Sequence, residues 1–158
     1  MNPKEKAVIL LVDDTEDDFL LFREAYLKTG RLNPLFVVPT AEAAIEYLEG
    51  TGAYANRSEY PLPGLILLDL NLPRISGFEF LAWLRQNPSF GSLRVVVLTT
   101  SEHPSDIEKA QRAGANAFVT KSSDFKAFQK AVATICSFWL CFDNSPTVKR
   151  PVQNKGAF

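Results

Sequence analysis

The chain has 158 residues, of which 46% are apolar and 22% charged, and its formal net charge is −1. This length and composition are typical of one globular domain that buries its own core. The near-zero charge excludes the basic surface that nucleic acid requires, and no apolar run approaches the roughly 18 residues that cross a bilayer. We therefore expect neither a nucleic acid nor a membrane as partner.

The N-terminus is charged and runs straight into an apolar segment, which excludes a signal peptide and indicates a cytoplasmic protein. Cys136 and Cys141 lie in one apolar segment and match no metal-binding spacing, so we interpret them as small buried hydrophobic residues.

Short apolar runs alternate with amphipathic segments along the chain, which predicts strands alternating with helices. The predicted strands cover residues 7–12, 35–38, 65–68, 94–98 and 117–120. The predicted helices cover residues 16–29, the segment between Thr40 and Gly50, a segment opened by Ser76, the segment from Ser105 to Gly114, and residues 124–142. This alternation is typical of a parallel sheet covered by helices on both faces.

Several local patterns set the predicted helix ends and faces. Ser76 with Glu79, and Ser105 with Glu108, each form the spacing of a capping box. The first helix has an apolar side formed by Phe19, Leu20, Phe22 and Leu27. We predict one domain over residues 1–142, followed by a flexible polar tail over residues 143–158.

Polar residues follow the predicted strands at the point where each one ends. Asp13 and Asp14 follow the first strand, Asp69 the third, Thr99 the fourth and Lys121 the fifth. The carboxyl ends of parallel strands meet at one edge of the sheet, where α/β proteins bind ligands. An aspartate that caps a turn would explain any one of these residues, but not the set.

Three carboxylates crowded together repel one another unless a cation lies among them. Oxygen ligands at a partly open site suit Mg²⁺, with Mn²⁺ as an alternative, and the carbonyl of Asn71 can add a neutral ligand. A divalent cation, the Lys121 amine and the Thr99 hydroxyl would neutralise a phosphoryl group at Asp69. The carboxylate of Asp69 can act as the nucleophile in such a transfer and form an acyl phosphate.

With these residues in this order, the chain resembles the receiver domain of two-component response regulators over residues 7–142. The resemblance implies a flavodoxin-like (CheY-like) doubly wound sheet of five parallel strands in the order 2-1-3-4-5, with five helices. It implies that a sensor histidine kinase phosphorylates Asp69, and that Asp14, Asp69 and the Asn71 carbonyl hold Mg²⁺ while Asp13 acts through water. It also implies that Lys121 and Thr99 bind the phosphoryl oxygens, and that Thr99 and Phe118 form the conformational switch.

A narrower resemblance concerns the regulators paired with bacterial and cyanobacterial phytochromes. The long connection over residues 51–64, the hydroxyl-rich end of the fourth strand and the sequence Phe138-Trp139-Leu140 are similar to those stand-alone receivers. The expected partner is therefore a phytochrome-type histidine kinase.

Two positions depart from the pattern of the family. Lys121 is followed by Ser122, where most receivers have a proline in a cis peptide bond. Because the amine must still point into the cleft, we expect a cis bond here too. Phe118 fits the aromatic switch position but has no hydroxyl, and it could instead be an ordinary core residue.

Two other classes of α/β protein have a doubly wound sheet with a ligand site at the strand ends. A haloacid-dehalogenase-type phosphatase, with Mg²⁺ and an aspartyl phosphate, is the main alternative, but it needs an acid two residues after the nucleophile, where this chain has Asn71. A nucleotide-binding domain would need a glycine-rich first turn. His103 lies in a polar loop and is expected to be solvated.

The sequence thus predicts a phosphoryl-accepting switch of a two-component phosphorelay. This switch is expected to assist its own phosphorylation and dephosphorylation, to have no other enzymatic activity, and to have no output domain.

The last predicted helix has one apolar face that is expected to cover the sheet. This face consists of Phe125, Phe128, Val132, Ile135 and Trp139. Further apolar residues are left over: Cys136, Phe138, Leu140, Cys141 and Phe142. We expect them to form an exposed patch through which the protein makes a homodimer.

Overall fold

The computed structural model describes residues 6–140 of the chain. The strands are β1 (Val8–Val12), β2 (Leu35–Val38), β3 (Pro63–Leu68), β4 (Val95–Thr99) and β5 (Ala117–Thr120). The helices are α1 (Glu16–Leu27), α2 (Ala41–Glu49), α3 (Gly77–Gln86), α4 (Pro104–Ala113) and α5 (Phe125–Trp139), with a 3-10 turn over Gly52–Tyr54. The predicted tail over residues 143–158 lies outside the described residues.

All strand pairs are parallel, and the sheet order is β2-β1-β3-β4-β5. The predicted CheY-like fold is confirmed. β1, β3 and β4 lie in the middle of the sheet and are covered on both faces, which explains why their sequences are continuous apolar runs. Val12 is paired with Leu68, so β1 and β3 end side by side and the residues that follow them lie at the same edge of the sheet.

The two faces of the sheet carry separate cores. Ile9, Leu11, Leu65 and Leu67 pack against residues of α1 and α5. The intervening strand residues, among them Leu10, Val12, Ile66 and Leu68, pack against α2 and α3 on the opposite face. Alternate residues of one strand therefore serve different cores.

The apolar side of α1 differs from the predicted one. Phe22 is buried and Phe19 packs against the same core, but Leu20 and Leu27 are 48% and 58% exposed. Ala25 and Tyr26 take the buried positions one turn after Phe22. The prediction favoured the leucines because they are more hydrophobic than tyrosine. Tyr26 can nevertheless be buried, because its hydroxyl donates a hydrogen bond to the carbonyl of Asn33 at 3.1 Å.

The start of α4 also differs. His103 is the N-cap and Pro104 is the first helical residue, so Ser105 lies inside the helix and the predicted capping box is absent from this described helix. Proline is favoured at this position because its missing N–H has no helical partner. By contrast, Ser76 and Glu79 form the predicted capping box at the start of α3. His103 is exposed, as predicted.

The last helix covers the sheet with the predicted face, but it also buries two residues assigned to the exposed patch. Cys136 and Leu140 belong to the core, while Phe138 is 57% exposed and Trp139 is partly buried. Cys141 and Phe142 lie outside the described residues. The predicted apolar patch is therefore smaller than expected, since Cys136 and Leu140 join the core that lies between the sheet, α1 and α5. None of the helices within residues 6–140 combines the length and apolar character needed to span a membrane.

Candidate functional site

Three carboxylates meet at the carboxyl ends of β1 and β3. Oxygens of Asp13, Asp14 and Asp69 lie within 4.8 Å of one another. Asp13 and Asp69 are buried, whereas Asp14 is exposed. The loops hold two of them in place, since the backbone N–H of Thr15 donates to Asp13 Oδ1 at 3.0 Å and that of Asn71 donates to Asp69 Oδ1 at 3.1 Å.

Close packing of α3 supports the position of Asp69. The backbone N–H of Gly77 donates to the carbonyl of Leu70 at 3.0 Å. A Cβ atom at Gly77 would lie only 2.5 Å from the carbonyl oxygen of Asp69. A side chain here would push α3 away from the phosphoacceptor candidate, so this position needs glycine. The sequence pattern at this point predicts only the start of a helix.

Lys121 brings a positive charge into the acidic cluster. Its Nζ lies 2.8 Å from Asp13 Oδ2, 3.2 Å from Asp69 Oδ2 and 2.8 Å from Asp18 Oδ2. Asp18, in the first turn of α1, is the residue that sequence reasoning missed. Its position in the first helical turn after the Asp13-Asp14 pair was the available signal, because the short connection from β1 keeps that turn near the strand end.

The expected cis bond after Lys121 is wrong. Every peptide bond in the described range, including Lys121–Ser122, is trans. The amine nevertheless reaches Asp69, because the four-carbon side chain of lysine spans the gap without a change in the backbone.

The two predicted switch residues lie on the neighbouring strands. Thr99 is fully buried, and its hydroxyl has no hydrogen-bond partner within the described part of the chain. Phe118, on β5, is partly buried and packs against a small cluster that includes Leu70, Val97 and Ala110. The structure thus brings the acids and Lys121 together, sets Thr99 at the adjacent strand end, and places Phe118 in a small core of its own.

Burial and charge act against each other in this site. Burial raises the pKa of Asp13 above 3.8, although the hydrogen bond from Lys121 opposes this effect. Burial would lower the pKa of the Lys121 amine, but hydrogen bonds to Asp13 and Asp18 together with the charge of Asp69 outweigh it and hold this pKa above 10.5. Lys121 is therefore an ammonium group at neutral pH.

The acidic cluster has the character of a divalent cation site. All three side chains offer carboxylate oxygens, and Asp14 leaves one side of the cluster open to solvent. Hard cations that keep several waters prefer such ligands. One ammonium group among these carboxylates leaves an excess of negative charge for a cation to neutralise.

A model of the response regulator receiver domain matches residues 9–133 of the chain. The chain belongs to this family. Response regulator Rcp1 of Synechocystis sp. is 42% identical to this receiver over 134 residues, which is 84% of this chain and 88% of the relative.

Two solved structures extend the likeness to three dimensions. The phosphorylated cyanobacterial phytochrome response regulator RcpA aligns with a TM-score of 0.78 and 36% identity, covering 85% of this receiver and 94% of that chain. The Mn²⁺-bound form of Rcp1 aligns with a TM-score of 0.76 and 38% identity, covering 92% and 99%. The receiver is thus homologous to phytochrome response regulators.

Membership of the family decides between the functions that the sequence left open. Receiver domains are generally phosphorylation switches that interact with histidine kinases and bind a divalent metal at an acidic pocket. The alternative of a haloacid-dehalogenase-type phosphatase is not supported.

Proposed function

We propose that this receiver accepts a phosphoryl group on Asp69 from a phytochrome-type histidine kinase and signals by a change in conformation and association. The observation that carries the proposal is the 3.2 Å approach of the Lys121 amine to Asp69 inside the acidic cluster. The names of the relatives Rcp1 and RcpA support the phytochrome-type partner.

In the proposed transfer, an oxygen of Asp69 attacks the phosphorus atom carried by the kinase histidine. The new O–P bond forms as the P–N bond breaks, and the leaving imidazole takes up a proton from solvent. Lys121 neutralises one phosphoryl oxygen, and the hydroxyl of Thr99 donates to another. The hydroxyl of Thr99 has no partner among residues 6–140, and this supports the role, because a phosphoryl oxygen would supply an acceptor.

Asp14, Asp69 and the backbone carbonyl of Asn71 would hold the cation, which is Mg²⁺ or Mn²⁺. Asp13 is proposed to act through water, and its closer pairing with the Lys121 amine, at 2.8 Å against 3.2 Å for Asp69, supports this division of roles. When bound, the cation supplies positive charge to the phosphoryl oxygens.

The change in conformation is proposed to run through Thr99 and Phe118. Movement of Thr99 towards the phosphoryl group would leave space that Phe118 can fill, and so would shift a two-state equilibrium. Association is proposed as a homodimer through α5, where the exposed Phe138 stacks edge-on against Trp139 with ring centres 4.8 Å apart. We further propose that the protein is cytoplasmic and has no nucleic-acid partner. It is proposed to have no enzymatic activity beyond its own phosphorylation cycle. The receiver domain is proposed to end near residue 142.

The test is phosphorylation with a small donor. Wild-type protein and Asp69→Asn are incubated with Mg²⁺ and acetyl phosphate, and the modified peptide is located by mass spectrometry. We expect phosphate on Asp69 in the wild type and none in the variant, which keeps the size of the side chain but lacks the nucleophile. Uptake by Asp69→Asn at the wild-type rate would refute the assignment. A phytochrome-type kinase should phosphorylate the wild type faster than an unrelated histidine kinase does.

A further inference from the structure

The Lys121 amine is bound by one carboxylate that lies outside the strand-end cluster. Asp18 belongs to the first turn of α1, and its oxygen is 2.8 Å from Nζ, closer than the 3.2 Å that separates Nζ from Asp69. Oxygens of Asp13, Asp14 and Asp69 form the compact acidic group, and Asp18 is not part of it. This residue therefore contacts the amine without being placed to hold the cation.

Packing alone does not fix the position of the amine. A cavity of about 400 Å³ is lined by the lysine together with apolar residues, among them Leu11, Phe22, Leu98 and Phe128. Asp18, Ser122 and Glu102 line the same cavity. The amine thus has room to turn away from Asp69, and Glu102 offers it a competing negative charge.

The loop that follows the lysine adds little constraint. Ser122 and Ser123 are exposed, and the hydroxyl of Ser122 is used to accept from the N–H of Asp124 at 3.1 Å. The backbone of Lys121 is tied to Thr99, but four carbon atoms separate that backbone from the amine. Placement of the amine is therefore set by its ionic hydrogen bonds.

We propose that Asp18 is a positioning residue for phosphoryl transfer to Asp69. The ammonium group has three hydrogens, and the bonds to Asp13 and Asp18 fix two of them, so that the third faces Asp69. When an oxygen of Asp69 is bound to phosphorus, this third hydrogen meets a phosphoryl oxygen while the other two bonds remain. The inference rests on the proposed function and adds a residue of α1 to it.

Three substitutions test the role of Asp18. Asp18→Ala removes the acceptor, Asp18→Asn keeps an acceptor oxygen without the charge, and Asp18→Glu keeps the charge. Asp17→Ala is the matched control, because it removes an equal charge from the preceding residue of the same helical turn. The side chain of Asp17 is exposed. The initial rate of phosphorylation is measured against the concentrations of acetyl phosphate and of Mg²⁺.

We expect Asp18→Ala to lower the maximal rate about tenfold relative to Asp17→Ala, the order expected when one charge-assisted hydrogen bond no longer orients a catalytic group. The half-saturating Mg²⁺ concentration should stay within about twofold of the control, because Asp18 does not belong to the acidic group. The maximal rate of Asp18→Asn should fall between those of Asp18→Ala and Asp17→Ala, and Asp18→Glu should recover most of the maximal rate of Asp17→Ala. A ¹⁵N signal of the Lys121 amine, protected from exchange in the wild type, should broaden in Asp18→Ala.

A maximal rate of Asp18→Ala and Asp18→Asn equal to that of Asp17→Ala would overturn the inference. A loss that saturating Mg²⁺ restores would overturn it as well, because Asp18 would then act on the cation. These results differ from failure of the proposed function, in which the wild type itself takes up no phosphate on Asp69.

Discussion

The backbone N–H of Lys121 donates to the carbonyl of Thr99 at 2.7 Å. This bond continues the ladder between β4 and β5, in which Thr99 is paired with Thr120. The two residues proposed to bind phosphoryl oxygens are thus joined through their backbones. We therefore expect a displacement at the end of β4 to move the backbone of the residue that carries the amine.

Replacement of Thr99 by valine should separate stability from function. The side chain keeps its shape but loses a buried hydroxyl that has no partner within the described residues. We expect the free energy of unfolding to rise by about 1 kcal/mol in urea titrations, because an unsatisfied polar group leaves the core. With acetyl phosphate as donor, the rate of phosphorylation of Asp69 should at the same time fall, because no hydroxyl donates to the phosphoryl oxygen during the transfer.

Thr99→Ser is the control for this substitution. It keeps the hydroxyl and loses one buried methyl group, so the unfolding free energy should fall by about 1 kcal/mol while the phosphorylation rate is retained. A less stable Thr99→Val would show that the hydroxyl already has an acceptor in the resting protein.

The two acids after β1 should respond differently to removal. Asp14 is exposed and proposed as a direct ligand, whereas Asp13 is buried against Lys121. We expect Asp14→Ala to weaken Mg²⁺ or Mn²⁺ binding far more than Asp13→Ala does in calorimetric titrations. Without metal, Asp14→Ala should raise the melting temperature slightly, because a like charge leaves the cluster.

In contrast, Asp13→Ala should lower the melting temperature, because Lys121 loses a partner in a buried place. Equal metal affinities of the two variants would contradict the assignment of ligands.

Most of the fold could be predicted because buried parallel strands leave a plain signal. The apolar runs located all five strands, and the residues that end them located the cleft. The strand order came from the resemblance to a family and not from periodicity. Side-chain choices on α1 could not be predicted in the same way. The hydroxyl of buried Tyr26 donates to the carbonyl of Asn33, a contact that depends on the folded loop after the helix.

Alkaline pH should destabilise the protein through Tyr47. Burial raises the pKa of its hydroxyl to about 12, and this hydroxyl donates to the carbonyl of Pro61 at 2.8 Å. Because the folded protein binds this proton more tightly than the unfolded chain, the stabilisation is complete below pH 10 and is lost as the pH rises from 10 towards 12. At pH 11 the loss should be about 1 kcal/mol.

Tyr47→Phe isolates this contribution from that of the other tyrosines. At pH 8 the variant should be less stable by about 1 kcal/mol, since the carbonyl of Pro61 loses its donor. The difference from the wild type, measured in urea, should shrink as the pH rises above 10. A constant difference from pH 8 to pH 11 would count against the raised pKa.

Self-association should depend on Phe138. Phe138→Ser removes the exposed aromatic ring of α5, while Leu27→Ser removes a side chain of nearly equal exposure on α1, 58% against 57%. In sedimentation at micromolar concentration we expect a dimer for the wild type and for Leu27→Ser, and a monomer for Phe138→Ser. A dimer that survives Phe138→Ser would move the interface away from this helix.

The features of the site that the sequence did not predict depend on where long side chains place their charged ends. Asp18 is one of three acids in the first turn of α1, and only the folded position of Lys121 distinguishes it from Glu16 and Asp17. The expected cis bond failed for a related reason, since the direction of an amine at the end of a flexible side chain does not follow from the backbone alone.

The bonds of Lys121 join distant parts of the chain. The lysine is 108 residues from Asp13, 103 from Asp18 and 52 from Asp69. During synthesis on the ribosome, all the acids emerge before the residue that balances them, and the entropy cost of closing such long loops delays their meeting. An incomplete chain that ends before β5 would hold its negative charges together without the lysine. The charge-balanced centre therefore exists only once the final strand has joined the edge of the sheet.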